Sequence, residues 1–285
     1  MTRQYLNIVK KILATGYRSI DRTKVGTFST FGEVMRFDIS KSFPLLTTRK
    51  ISWNVVTKEL LWFISGSTDA KVLDKNGVKI WNANSTKEFL ATRQIFNREA
   101  GDIGPTYGFQ WRHAGIDYKG CGHDYTNQGI DQLQNVIDSI KNDPNNRRML
   151  ISSWDVKLLS QMALPPCHVL IQFYVSGDKL SSQLYQRSAD IMLGVPYNIA
   201  SYALLTYMIA HLTNLKPDKF IHIMGNTHLY LNHVDAATQL IEREPYDFPT
   251  LKIKNDKNDI SDYKYEDFIL ENYKYHPHIK MDMAV

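Results

Sequence analysis

Cys167 is the residue of this chain best suited to act as a nucleophile. It lies in the segment LPPCH, residues 164–168, where two prolines restrict the backbone that leads to the thiol. A predicted β-hairpin follows, and its second strand ends in QRSAD, residues 186–190. Because a nearby cation stabilises a thiolate, a thiol beside Arg187 is suited to covalent catalysis. The alternative is a buried cysteine that packs as a small apolar residue.

The register of the hairpin places Cys167 close to Arg187. Apolar and polar side chains alternate from residue 168 to 175 and from 180 to 187, which is the period-two pattern of β-strands. A two-residue turn at Gly177-Asp178 pairs Cys167 with Ser188, whereas a three-residue turn pairs it with Arg187. In both registers Cys167 lies within one position of Arg187 across the ladder, which permits electrostatic coupling.

Length and composition predict one large domain. The chain has 285 residues, of which 43% are hydrophobic, enough to fill a substantial core. No internal repeat or linker divides residues 1–285, and the polar segment 85–129 is expected to be a surface insertion. No apolar run reaches the ~18 residues of a membrane span, and the N-terminus lacks an apolar signal region. We therefore expect a cytoplasmic protein without a membrane segment.

Charge and cysteine content limit the classes of ligand. The net charge of +5 favours an anionic small molecule, and the basic residues are dispersed rather than clustered in a stripe. RNA binding is therefore possible but not indicated. Two cysteines are too few for a disulfide framework or a four-ligand zinc site, so no metal is expected.

The pattern of helices and strands indicates the fold class. Periodicity and capping residues predict an amphipathic first helix and further helices at residues 53–65, 128–142, 197–215 and 229–244. Besides the hairpin, strands are expected at residues 27–37, 148–154, 219–224 and 250–254. Because the two kinds of element are interspersed without strict alternation, we expect an α/β protein of the α+β type with a mixed sheet.

Several short segments occur together, in order, from residue 21 to the C-terminus. They are DRT (21–23), ELLWF (59–63), GPTYG (104–108), NRR (146–148), PPCH (165–168), QLYQRSAD (183–190), LGVPYNIASY (193–202), THLYLNH (227–233) and MAV (283–285). The set closely resembles the thymidylate synthase family of folate-dependent enzymes. The resemblance implies a single-domain fold in which a mixed sheet packs against helices and one sheet face forms a homodimer interface.

The resemblance also implies a reaction in which Cys167 is the nucleophile. The thiolate adds to carbon 6 of deoxyuridylate, and the resulting enolate attacks the methylene group of the co-substrate 5,10-methylenetetrahydrofolate. Loss of the carbon 5 proton and hydride transfer from the same folate give thymidylate and dihydrofolate. Glu59, Tyr107 and His168 match the side chains that transfer protons and order water. A buried carboxyl such as that of Glu59 is expected to have a raised pKa.

The nucleotide-binding positions of the family match residues of this sequence one by one. The phosphate is expected to contact Arg22, Arg187 and Ser188 of one subunit, together with Arg147 and Arg148 donated by the partner subunit. Asn198 matches the residue that reads the pyrimidine edge, and His228 and Tyr230 match the contacts to the ribose. Asp190 matches a contact to both base and pterin, and Gln186 belongs to the same substrate-binding segment. From the local sequence alone, Asn198 could equally be a helix N-cap and the arginine pair a surface pair.

A second group of residues matches the folate site. Arg49 takes a basic position that faces the glutamate tail in the family, and Val285 belongs to the terminal segment that closes over the site. The apolar walls around the folate rings match Ile80, Trp81, Leu164, Leu193, Gly194 and Tyr197. Two positions depart from the common pattern: Asn84 stands where many members have tryptophan, and Asn226 where many have aspartate.

Two other functions remain as alternatives. A pyrimidine-nucleotide hydroxymethylase of the same superfamily adds water instead of hydride, but its deoxycytidylate form typically has aspartate at the position of Asn198. Trp81 and the complete C-terminal segment also favour a dry site that transfers hydride. An RNA-binding relative is the other alternative, although no basic patch interleaved with aromatic residues is visible.

Overall fold

The computed structural model describes residues 2–20 and 24–282. Its helices are α1 (Thr2–Thr15), α2 (Trp53–Ile64), α3 (Ala70–Lys75), α4 (Lys87–Thr92), α5 (Tyr107–His113), α6 (Gln132–Asn142), α7 (Gly194–Leu212) and α8 (Val234–Ile241). Its strands are β1 (Tyr17–Ser19), β2 (Thr27–Asp38), β3 (Leu150–Ser152), β4 (His168–Ser176), β5 (Lys179–Asp190), β6 (Lys216–Tyr230), β7 (Thr250–Ile253) and β8 (Phe268–Glu271).

A mixed sheet organises the described part of the chain. Six strands pair in the order β1-β2-β6-β5-β4-β3, and β7 and β8 form a separate hairpin-like pair. Strands β5 and β6 are parallel, whereas the other neighbours are antiparallel. The fold is therefore the mixed-sheet α/β fold that the sequence predicts.

Helices cover one face of this sheet. On β5, Leu180, Ser182, Leu184 and Gln186 alternate inward and are buried. Helix α7, which is apolar on most faces, packs on β5 and β6, while α1 packs on β2 and α2 packs against α7 and α5. The inward-facing polar residues, such as Gln186, are thus enclosed between sheet and helices, where they need hydrogen-bond partners.

The hairpin has the expected two-residue turn, but its register shifts before it reaches Cys167. The turn contains two residues, because Ser176 pairs with Lys179. The register then shifts by one residue between His168 and Leu170, so that the backbone N–H of Arg187 donates to the carbonyl of Cys167 at 2.9 Å. The two-residue turn is therefore correct, but the irregularity places Cys167 opposite Arg187 instead of Ser188.

Strand β6 replaces part of a predicted helix. The prediction of a helix from residue 229 is wrong, because β6 continues to Tyr230 and helix α8 begins at Val234. In this stretch β6 pairs on both sides, with Asp190 opposite His228 and Thr27 opposite Tyr230. Pairing with two neighbours overrides the local helical pattern. Strand β3 is shorter than expected, at Leu150–Ser152 instead of 148–154.

The segment expected to be a surface insertion also contributes to the core. Residues 101–111, in the middle of segment 85–129, are all buried. They include the first turns of α5, whose Tyr107 and Trp111 rings lie 4.7 and 5.7 Å from the ring of Phe63 on α2. A surface insertion therefore does not describe residues 101–111, because the polar composition of the flanking loops hides a short buried helix.

The close contact between α2 and α5 leaves no room for a side chain at Gly108. A Cβ atom there would lie 2.9 Å from the carbonyl oxygen of Phe63 and 3.0 Å from that of Ser67, and backbone atoms move aside only at a cost. Gly108→Ala should therefore lower the free energy of unfolding in urea by about 1–3 kcal/mol.

Gly122→Ala is the matched control for this substitution. A Cβ atom at Gly122 meets nothing within 4 Å, so the variant should stay within about 0.5 kcal/mol of the parent. Equal free energies of unfolding for the two variants would contradict the packing described for α5.

Candidate active site

The Arg187 side chain fixes the backbone that leads to Cys167. Its Nε donates to the carbonyl of Pro166 at 2.9 Å, and its Nη2 donates to that of Pro165 at 2.8 Å. The guanidinium also lies over the ring of Trp154, 5.4 Å from its centroid. Because a guanidinium has five N–H donors, these two contacts leave donors for an anionic ligand. Arg187 thus positions the half-buried Cys167 and still has N–H donors with which to bind a ligand.

Tyr107 also binds the backbone of Cys167. Its hydroxyl oxygen accepts a hydrogen bond from the backbone N–H of Cys167 at 2.8 Å. The Tyr107 ring is buried against aromatic rings, including those of Trp81 at 6.0 Å and His168 at 5.2 Å. Burial raises the pKa of the Tyr107 phenol, and the nearby Cys167 thiol adds to the rise. The phenol therefore keeps its proton at neutral pH.

Glu59 has a desolvated carboxyl and is linked to this group of residues through Trp81. Burial raises the pKa of Glu59 to about 7, and a hydrogen bond from Trp81 Nε1 to Oε1, at 2.8 Å, opposes part of the rise. The residue retains some exposed surface, but the removal of its carboxyl from water accounts for the direction of the shift. A carboxyl with this pKa can give and accept a proton near neutrality.

His168 is a neutral histidine within the same group. Burial lowers its pKa to about 4, a contact with Asn198 opposes the change, and the positive charge of Arg187 adds a smaller lowering. Its ring lies between those of Tyr107 and Tyr202, at 5.2 Å from each. The imidazole therefore carries no charge at neutral pH and serves as a polar, hydrogen-bonding side chain.

The hydrogen bonds of Gln186 fix the orientation of the Asn198 amide. One terminal atom of Gln186 lies 3.0 Å from the carbonyl oxygen of Ser188, which can only accept, so that atom is the nitrogen Nε2. The same Nε2 lies 3.0 Å from a terminal atom of Asn198, which must then be the oxygen Oδ1. Asn198 is 8% exposed and lies in the first turns of α7 without acting as its cap.

The residues expected at the ribose and the base meet where β5 and β6 end. Asp190 pairs with His228 across the parallel ladder, and the ring of Tyr230 lies 5.3 Å from that of His228. Asp190 Oδ1 accepts from the backbone N–H groups of Met192 and Leu193, each at 3.0 Å, and thereby shapes the entry into α7. Ser188 lies on the same strand as Asp190, opposite Asn226.

The residues expected at the folate site are only partly buried, with one exception. The partly exposed group comprises Ile80, Trp81, Leu164, Leu193, Gly194 and Tyr197. Arg49, in contrast, is 2% exposed and donates to the carbonyl of Met192. A contact between Arg49 and a glutamate tail therefore requires the side chain to leave that carbonyl.

The arginine pair lies away from the thiol of its own chain. Arg147 and Arg148 are exposed and precede β3, where Leu150 pairs with Gln172. Gln172 is five residues along β4 from Cys167, and the arginines lie beyond it in the direction away from the thiol. At about 3.3 Å per residue, their backbone is more than about 16 Å from Cys167. Arg22 and Val285 lie outside the described residues.

Two side chains of this region were not expected from the sequence. Trp154 lies under the Arg187 guanidinium, and His222 Nε2 is 2.8 Å from Gln186 Oε1. The available signal for His222 was its position in a predicted strand, between apolar residues on the inward face. Trp154 had no signal, because it lies near Arg187 only through the pairing of β3 with β4.

Two kinds of feature are absent from the described residues. Within residues 2–20 and 24–282, no group of three or more histidine, cysteine, aspartate or glutamate side chains could hold a metal ion. No helix in these ranges is both long and apolar enough to cross a membrane.

Comparisons with known proteins identify close relatives. The family model described as "Thymidylate synthase" matches residues 3–285. The chain is 55% identical to the thymidylate synthase of Herpesvirus ateles over 282 residues, which cover 99% of this chain and 97% of that protein. It is 54% identical to the thymidylate synthases of Equine herpesvirus 2 and Homo sapiens, again over 99% of this chain and over 98% and 90% of those proteins.

The raised pKa of Glu59 predicts a specific pH dependence of stability. The folded protein keeps a proton that the unfolded chain, with an ordinary carboxyl pKa of 4.5, releases. Stability therefore falls as the pH rises from 4.5 to 7. Glu59→Gln removes this loss, so its free energy of unfolding relative to the parent should rise by about 3 kcal/mol across that range.

Urea unfolding at several pH values measures this difference, and Trp81→Phe provides a second test. Loss of the Trp81 donor destabilises the carboxylate, so the fall in stability should extend to higher pH. Parallel curves for the parent and Glu59→Gln between pH 4.5 and 7 would show that Glu59 is not desolvated.

Proposed function

This chain belongs to the thymidylate synthase family, and we propose that Cys167, Arg187 and Asn198 carry out the family's reaction in it. The reaction converts deoxyuridylate and 5,10-methylenetetrahydrofolate to thymidylate and dihydrofolate. The observation that carries the assignment is the fixed position of Cys167, whose flanking backbone is bound by the Arg187 side chain and the Tyr107 hydroxyl.

Cys167 starts the reaction by adding to the pyrimidine ring. A bond forms between Sγ and carbon 6, and the electron pair of the C5–C6 double bond moves toward carbon 5 and oxygen O4. The Asn198 amide, with Oδ1 turned to Gln186, has its Nδ2 available to donate to O4, where negative charge develops. Oδ1 has a second lone pair for the N3–H of uracil.

The proton transfers fall to the buried groups around the thiol. Glu59, with a pKa of about 7, can relay a proton to and from the base oxygen. We propose that the Tyr107 hydroxyl assists removal of the carbon 5 proton, and its hydrogen bond to the Cys167 backbone supports this role. His168 stays neutral and can order water without competing for the nucleotide's negative charge.

The folate co-substrate supplies the one-carbon unit and the hydride. Carbon 5 attacks its methylene group, tetrahydrofolate is expelled, and hydride from that folate reduces the exocyclic methylene to the methyl group. The partly exposed apolar side chains of Trp81, Leu193 and Tyr197 support a folate site that excludes water. The hydroxymethylase alternative, which needs water at this step, is not favoured, since the relatives are thymidylate synthases.

We further propose that the active protein is a homodimer formed through the open face of the sheet. Val34, Ile223, Tyr185 and Leu170 are paired in one row across four strands, on the face that the helices leave uncovered. Tyr185 and Val34 are 38% and 36% exposed, and Tyr174 on the same face is 65% exposed. A contiguous apolar surface of this kind favours association with a second copy.

The same arrangement supports donation of arginines between subunits. The backbone of Arg147 and Arg148 lies more than about 16 Å from Cys167 of their own chain, and both side chains lie exposed at the edge of the same sheet. In a dimer through the open face, they can meet the phosphate beside Arg187 and Ser188 of the partner. The cytoplasmic location stays a prediction from the sequence.

Cys167→Ser should abolish formation of dihydrofolate from deoxyuridylate and methylenetetrahydrofolate, because a serine hydroxyl is a far weaker nucleophile than a thiolate. Binding of deoxyuridylate, measured by calorimetry, should change little, since Arg187 and Asn198 remain. Cys121→Ser is the control and should keep full activity. Turnover by Cys167→Ser would remove Cys167 from its assigned role, and tetrahydrofolate as product would indicate a hydroxymethylase.

Subunit complementation tests the shared phosphate site. Arg148→Ala and Cys167→Ala chains, co-expressed with different tags, should each be inactive as homodimers. Their purified heterodimer should regain about half of the parent activity per dimer, because one of its two sites has both intact residues. A heterodimer without activity would contradict the donation of Arg148 across the interface.

A further inference from the structure

We propose that His222 is a positioning residue that sets the preference for uracil over cytosine by acting through Gln186 on Asn198. The inference rests on the proposed function, because it concerns the same pyrimidine site. His222 lies on β6 between the inward-facing Phe220 and Met224 and is 0% exposed. It contacts Gln186, not the expected position of the substrate.

The hydrogen-bond donors and acceptors in this group can be assigned without observing hydrogens. Since Nε2 of Gln186 faces the carbonyl of Ser188, its Oε1 faces His222 Nε2 at 2.8 Å. An amide oxygen only accepts, so His222 must donate from Nε2. His222 Nδ1 then carries the lone pair, and it has no hydrogen-bond partner among residues 2–20 and 24–282.

The buried surroundings keep His222 in this single form. Burial lowers the pKa of His222 to about 3, and the nearby His168 adds to the lowering. The ring lies 5.8 Å from that of Phe220. His222 is therefore a neutral donor with a fixed tautomer at any pH at which the protein works.

The donor on His222 holds the Oε1 end of the Gln186 amide in place. With His222 present, Oε1 is satisfied on that side, and Nε2 is free to donate to Ser188 and Asn198. Without the donor, a buried Oε1 is unsatisfied, which is costly. Turning Oε1 toward Asn198 would also place it against the Ser188 carbonyl oxygen, so the amide instead shifts toward another donor, and its Nε2 hydrogen bond to Asn198 weakens.

The hydrogen bond from Gln186 holds the Asn198 amide in one orientation, and that orientation decides which base Asn198 suits. When Gln186 donates to Oδ1, the Asn198 Nδ2 faces the base and suits the O4 carbonyl of uracil. When that hydrogen bond weakens, Asn198 can also turn its Nδ2 inward, and Oδ1 then faces the base, where it suits the amino group of cytosine. His222 therefore favours uracil without touching it.

The test compares the dissociation constants of deoxyuridylate and deoxycytidylate, measured by calorimetry on the full chain without folate. His222→Phe keeps an aromatic ring but removes the donor. The dissociation constant of deoxycytidylate divided by that of deoxyuridylate should therefore fall about tenfold, the size expected for one buried hydrogen bond. His222→Gln retains a donor at the same reach and should keep the ratio. Phe220→Leu, a matched change on the same face of β6, should lower stability but leave the ratio unchanged.

The outcomes separate this inference from the proposed function. A parent protein that does not prefer deoxyuridylate contradicts the proposed function itself. A parent that prefers it, with His222→Phe at an unchanged ratio or Phe220→Leu at an equally reduced one, overturns the role of His222. Nitrogen-15 NMR of the parent gives a further test that needs no variant: His222 should be protonated at Nε2, and protonation at Nδ1 would overturn the inference.

Discussion

The interaction on which the site depends is the pair of hydrogen bonds from the Arg187 guanidinium to the carbonyls of Pro165 and Pro166. Proline cannot donate a backbone hydrogen bond, so this segment lacks the ladder contacts that fix an ordinary strand. The arginine side chain replaces them at 2.8 and 2.9 Å, and its own backbone N–H binds the Cys167 carbonyl. The backbone of Cys167 is therefore held at the point where β4 begins, next to Arg187, the cation that we propose takes part in the reaction.

Desolvation between sheet and helices gives the other polar groups their chemical character. It raises the pKa of Glu59 to about 7 and lowers that of His168 to about 4, so that an acid able to exchange protons lies near a histidine that stays neutral. Because the amide side chains are enclosed in the same way, each needs hydrogen-bond partners within the protein. His222, Gln186 and Asn198 thus have one arrangement in which the hydrogen bonds that join them are all made.

The sequence predicts the mixed sheet, the main helices and a place for Cys167 within one position of Arg187 across the ladder, because period-two alternation and a short turn leave few registers. It could not predict the one-residue shift at His168, since a β-bulge has no distinct local pattern. It assigned Leu229 and Tyr230 to a helix, because their strand pairing comes from distant partners. The burial of Arg49 and the role of His222 depend on tertiary contacts alone.

The covalent bond to Cys167 can be tested directly with deoxyuridylate that carries fluorine at carbon 5. Fluorine cannot leave as a cation, so the reaction must stop after carbon 5 has attacked the folate, with nucleotide and folate both attached to the enzyme. Mass spectrometry of peptides from the trapped protein should place the combined mass on the peptide that contains Cys167 and leave the Cys121 peptide unmodified. An unmodified Cys167 peptide, or an adduct at Cys121, would contradict the account.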